Sequence, residues 1–170
     1  MDSSFAFPDA VFPQDLPKYT YVPGITPHPV SDPAGHAHGS PRPAATGSLA
    51  PGMCLFHHGF YWEAHEAWEA EWLAAGRTGP HGDMIKGFIK LAACGVKCLE
   101  GNAAGAKRHA RRAQELLQRS LQHPELPVAV SVLQAAMQLA QSMANVPRLA
   151  TPGQQEQTKK GGVPLLGRLP

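Results

Sequence analysis

The segment from Phe56 to Trp72 reads FHHGFYWEAHEAWEAEW, and it concentrates groups that do chemistry. His65 and Glu69 stand four apart, one above the other if the segment is helical. On a helical wheel Tyr61, His65, Trp68 and Trp72 fall within about a quarter turn. Trp62, Glu66, Glu69 and Leu73 occupy the next quarter; Glu71 lies on the other side, and Glu63 is not firmly assigned to either. A carboxylate among aromatic rings needs a partner, or its pKa rises until it is neutral. His65 is the expected partner of Glu69. Glu66 needs one from another element, with Lys86, Lys90 or the N-terminal arm as candidates.

Three readings follow. The plainest has polar side chains that only link helices, with the Trp and Tyr rings as core. The second is a ligand pocket, because desolvated carboxylates beside a histidine are what acid–base chemistry uses. The third is a divalent metal site, with His65, Glu66, Glu69 and His57 as candidate ligands and His58, His81, His28 and His36 nearby in sequence. The two helical metal motifs are absent. Trp62 stands where Glu-x-x-His requires a glutamate, and Glu69 and Ala70 follow where a second histidine would complete His-Glu-x-x-His.

Five helices must position these groups. The first is expected over about 49–58, with Pro51 in its first turn and Gly59 after its end. The second runs from Phe60 or Tyr61 to about Ala75, stopped by Gly76, Gly79 and Pro80. The third spans about 82–100. Ile85, Phe88, Ile89, Ala92, Val96 and Leu99 form one stripe, Leu91, Cys94, Gly95 and Cys98 cover the opposite side, and only Lys86, Lys90 and Lys97 make a polar line. A helix apolar nearly all round is a buried, central one. The fourth starts after Asn102 as N-cap and reaches about Gln122; the fifth runs from Pro127 to about Asn145. The fold class is all-α, a compact bundle with short connections.

Ten of the 17 prolines precede residue 52, so residues 1–48 read as an extended arm. Its tyrosines and histidines place Lys18 to about His38 against the body, with 1–15 and 39–48 looser. Residues 49–146 form the helical domain, and 147–170 a flexible tail in which Val163–Leu169 is the part suited to dock.

Composition narrows the function. A net charge of +2 is too small to argue for nucleic acid by itself, and nucleic acid is not expected as a partner. The basic run Lys107–Arg112 reads first as a solvated helix face. Three cysteines without a CxxC pair read as reduced thiols. The N-terminus lacks a basic, apolar leader and no stretch is long enough to span a bilayer, so a soluble cytoplasmic protein is expected. P-loop, Gly-x-Ser-x-Gly and dinucleotide motifs are absent.

The chain resembles the DUF309 family, small helical proteins without an assigned function. Phe56, Gly59, Tyr61, Trp62, Glu63, His65, Glu66, Glu69 and Trp72 match its first motif. Gly87, Phe88, Ile89, Leu91, Ala92 and Ala93 match its second, and Gly101, Asn102, Gly105 and Ala106 its third. The resemblance covers roughly residues 50–120. It implies a compact helical fold with Glu63, His65, Glu66, Glu69 and Trp72 near its centre, and it implies no reaction. His57 departs from a usual Asn, and Lys86 and Lys90 from a frequent Gln.

The reading that results is a bundle protein with a central His/Glu/Trp cluster. It binds a small ligand or a divalent metal through Trp62, Glu63, His65, Glu66, Glu69, Trp72, Lys86 and Lys90, with Trp68 as a further wall. As an enzyme it would carry out hydrolysis, with Glu66 or Glu69 as general base and His65 as the orienting group. The alternative is a structural or protein-interaction module. Three tryptophans on one helix leave a dimer face open.

Overall fold

The structure is a computed structural model that describes residues 16–123 and 125–145. The expected loose segment 1–15 and the tail 147–170, including Val163–Leu169, lie outside the described residues.

Five α-helices follow one another: α1 Ala50–His57, α2 Tyr61–Ala74, α3 Gly79–Leu99, α4 Ala103–Ser120 and α5 Val130–Asn145. No β-strand occurs among the described residues. The all-α expectation therefore holds, and most ends lie where sequence signals place them. Pro51 sits in the first turn of α1. Gly59 turns the chain into α2 with φ of 81°, a conformation that suits a residue without Cβ. Asn102 caps α4, its side chain accepting the Gly105 N–H at 2.8 Å.

Two ends differ. Gly79 and Pro80 open α3 instead of only stopping α2. Proline's preset φ and missing N–H suit a first helical turn. Helix α5 begins at Val130 rather than Pro127. Leu126 and Val128 pack on the core from a non-helical turn.

Helix α3 is the central element, packing against α2, α4 and α5. Met84, Ile85, Phe88, Ile89, Leu91, Ala92, Cys94, Cys98 and Leu99 are all buried. Glycines let successive helices approach closely. A Cβ on Gly52 of α1 would strike the indole of Trp68 on α2. On Gly95 of α3 it would come 2.5 Å from Tyr61 on α2, and on Gly87 2.6 Å from Leu117 on α4. The contacts of Gly52 and Gly95 hold α2 close to α1 and α3, and hence set the direction in which its acidic groups point.

Residues 16–49 carry no helix and lie along α2. Val22 and Thr20 are fully buried. Tyr21 and His28 pack edge-on against Trp62 with ring centroids 5.4 and 5.6 Å away. Tyr19 steadies the turn, donating its hydroxyl proton to the Pro27 carbonyl at 3.0 Å and accepting the His36 N–H at 3.2 Å.

Candidate functional site

Helix α2 carries four glutamates, Glu63, Glu66, Glu69 and Glu71, and they divide into two pairs with different surroundings.

The buried pair is Glu63 and Glu71, at 7% and 8% exposure. Glu63 accepts the Tyr21 N–H at 3.1 Å and the Thr20 hydroxyl at 3.4 Å, and His36 Nε2 stands 3.4 Å from its Oε1. Burial raises its pKa to about 7, against the hydrogen bonds it accepts. Burial lowers the pKa of His36. Glu71 accepts the Thr46 hydroxyl at 2.9 Å, the Gly47 N–H at 3.1 Å and the Thr46 N–H. Two sequence expectations change here. The wheel put Glu71 away from the buried side, and residues 39–48 were expected to be loose. The end of that segment instead folds over Glu71 and supplies its donors. Glu63, a candidate for ligand binding, is engaged by the N-terminal segment.

The half-buried pair is Glu66 and Glu69, joined by His65. One donor atom from each of the three lies within 4.8 Å of the other two. His65 Nδ1 is 3.3 Å from Glu66 Oε1, so the histidine pairs with Glu66 rather than with Glu69 as the four-residue spacing suggested. Rotation about Cα–Cβ places neighbouring residues within reach when both side chains lean to the same seam. Glu69 accepts no hydrogen bond among the described residues, and it lies in the electrostatic reach of Lys86.

Lys86 and Lys90 stand one turn apart on α3, both half-buried. The Lys86 ammonium sits 3.5 Å above the Trp72 ring. Its pKa is lowered by burial and by Lys90, with Glu69 opposing. Neither lysine forms an ion pair with a carboxylate among the described residues, so the expected partnership with Glu66 is not made. The Trp72 indole Nε1 is buried and has no acceptor.

His109, on α4, was singled out in the sequence only as part of a basic run. It is half-buried and lies within electrostatic reach of Lys90, Lys97 and His65. Burial, helped by Lys90, Arg108 and Lys97, holds its pKa down at about 4. The arginines of that run point outward; Arg112 pairs with Glu115 at 2.9 Å. No sequence signal marks His109, because its neighbours come from other helices.

The remaining candidates lie elsewhere. Trp68 is wholly buried and donates its indole N–H to the Leu49 carbonyl at 3.1 Å, packed on Phe56 and Phe88. It is core and not a pocket wall. Trp62 borders the cluster but is covered on one side by Tyr21 and His28. His57 sits at the end of α1 and does not join the three convergent donors. Cys54, Cys94 and Cys98 are free thiols, and Cys98 donates to the Met143 carbonyl at 3.4 Å. Hydrogen bonding with Cys98 and burial push the Cys94 thiol up, which makes it an inert core group.

Two of the hollows in the surface of the described residues are not lined by His65, Glu66 or Glu69. A groove of about 910 Å³ between α4 and α5 is bordered by Gln114, Gln118, Gln134, Gln138 and Gln141. A hollow of about 570 Å³ lies beside Leu49, Met53, Ile85 and Val128, with Glu71 at its wall. The cluster is thus a half-open seam along α2, not part of either hollow. No helix among the described residues is long and apolar enough to cross a membrane.

Residues 49–109 match the family described as a domain of unknown function, DUF309. The matched stretch is shorter at its C-terminal end than the resemblance drawn from the motifs. It still contains His65, Glu66, Glu69, Lys86, Lys90 and His109. No curated protein and no solved structure matches the chain. The match supports the family resemblance over the segment from Leu49 to His109.

Proposed function

We propose that this domain binds a divalent cation through His65, Glu66 and Glu69, and that the cation presents a small ligand to the seam between α2 and α3. The observation that carries this reading is the convergence of three metal-ligating donors within 4.8 Å on one half-exposed helix face. A cation about 2.1 Å from each donor needs them roughly 3–4 Å apart, which small side-chain rotations reach. One imidazole and two carboxylates suit Zn²⁺, Mn²⁺ or Fe²⁺ and leave coordination positions open. Trp62, Trp72, Lys86 and Lys90 flank those positions.

The contrast within α2 supports this assignment over a purely structural role. Glu63 and Glu71 link α2 to the arm, and their oxygens are engaged by it. Among the described residues Glu66 bonds only its neighbour His65 and Glu69 accepts no hydrogen bond, so neither ties two elements together by a hydrogen bond. Spare acceptor capacity on a part-buried carboxylate is what a cation uses.

Calorimetric titration of chelator-treated protein with Mn²⁺ and Zn²⁺ tests the reading. One equivalent should bind, and Glu66→Gln or Glu69→Gln should weaken binding at least tenfold. Glu69→Gln removes no hydrogen bond, so it should fold normally. Equal affinity in the doubly substituted protein, or no binding by the parent, would overturn the proposal.

A further inference from the structure

Charge balance across the seam identifies what the cation would face. On α2 the cluster offers two carboxylates, Glu66 and Glu69. On α3 beside them stand two ammonium groups, Lys86 and Lys90, which form no ion pair among the described residues. His65 must be neutral to ligate a metal. The empty seam is therefore formally neutral. With a divalent cation in place it carries two positive charges in a half-buried setting, and uncompensated charge there is costly.

We infer that the metal-loaded seam takes a small oxyanion, a phosphate or carboxylate group, bound between the cation and the Lys86 and Lys90 ammonium groups. Three features of the geometry agree. Lys86 is fixed above the Trp72 ring 3.5 Å from its centroid, so one cation is already positioned. Lys90 is one turn further along α3 on the same face, half-buried like Lys86. The buried Trp72 Nε1 is a donor with no acceptor, close to the same ammonium. The seam thus gathers donors that lack acceptors, which is the complement of an oxyanion. This inference rests on the metal reading above, since without the cation Glu66 and Glu69 already balance the lysines.

The test measures two bindings in sequence. Mn²⁺ is first titrated alone into the full-length protein. Inorganic phosphate and acetate are then titrated, separately, into the metal-free and the Mn²⁺-loaded protein. Phosphate or acetate should bind the loaded protein and bind the metal-free protein at least tenfold more weakly; which of the two binds tells phosphate from carboxylate chemistry. Mn²⁺ should in turn bind tighter by the same factor with the anion present, because coupling is reciprocal. Lys86→Met and Lys90→Met keep the apolar stem and should each weaken the anion at least tenfold while Mn²⁺ still binds. Lys90→Arg should retain it, and Lys107→Met, an exposed position, should change nothing. Failure of Mn²⁺ to bind sinks the metal reading and this inference with it. Mn²⁺ binding with no anion uptake, or with uptake indifferent to both lysine substitutions, overturns this inference alone.

Discussion

Glu63 and Glu69 stand six positions apart on one helix, yet their surroundings differ. Glu63 is closed in by Thr20, Tyr21 and His36; Glu69 has none of these. The difference has a pH signature. A carboxyl whose folded pKa is raised, here to about 7, binds its proton more tightly in the folded state. Its stabilising contribution is complete below its ordinary value of 4.5 and is lost as pH rises through 7. Histidines with lowered pKa act in the opposite sense. The contribution of His109 is present above 6.5 and is lost as pH falls through about 4. Replacing Glu63 by Gln should therefore raise stability at pH 8 relative to pH 4.5, compared with the parent. Urea denaturation at the two pH values measures this, and an unchanged difference between them would count against a buried, proton-binding Glu63. His109→Gln should lose less stability on acidification than the parent, as read by the same experiment.

At the scale of the helices, α2 is set by close approach. Gly52→Ala and Gly95→Ala each push a methyl group into a ring, of Trp68 and Tyr61 respectively. Each should cost about 1–3 kcal/mol, measured by chemical denaturation. Because either change turns or shifts α2, cation affinity should fall as well. Asn102→Ala removes a cap at the start of α4, far along the chain from the donors. It should cost about 1 kcal/mol and leave cation affinity unaltered. Trp68→Ala empties the middle of the core and should cost about 3–5 kcal/mol. These substitutions separate elements that support the seam from those that only stabilise the fold.

At the scale of the whole molecule, the non-helical segment 16–49 holds α2 from both ends. Thr20, Tyr21 and His36 engage Glu63, while Thr46 and Gly47 engage Glu71. One continuous stretch thereby covers one side of the helix and leaves the side bearing Glu66 and Glu69 half-open. A chain that starts at Ser48 would uncover both buried glutamates and the core around Val22. Its thermal midpoint should drop by several degrees at the least, since a few kcal/mol corresponds to that in a domain of this size. A midpoint equal to that of the full chain would show that the segment only rests on the body.

Periodicity and end signals in the sequence were enough for the five helices and for the central place of α3. A helix is a local object, and a buried one writes apolar residues all round its wheel. Asn102 and Pro51 mark helix starts for the same local reason. The motif from Phe56 to Trp72 also named His65, Glu66 and Glu69 together, since all three lie within two turns of one helix. What the sequence did not contain was the sorting of four glutamates into two buried anchors and two open donors. That depends on what packs against each side of α2. One side is met by a proline-rich segment whose path no repeat encodes. The other is met by α3, which brings Lys86 and Lys90 to the seam from further along the chain. Burial and charge at a glutamate are properties of its surroundings, and only the tertiary structure assembles those.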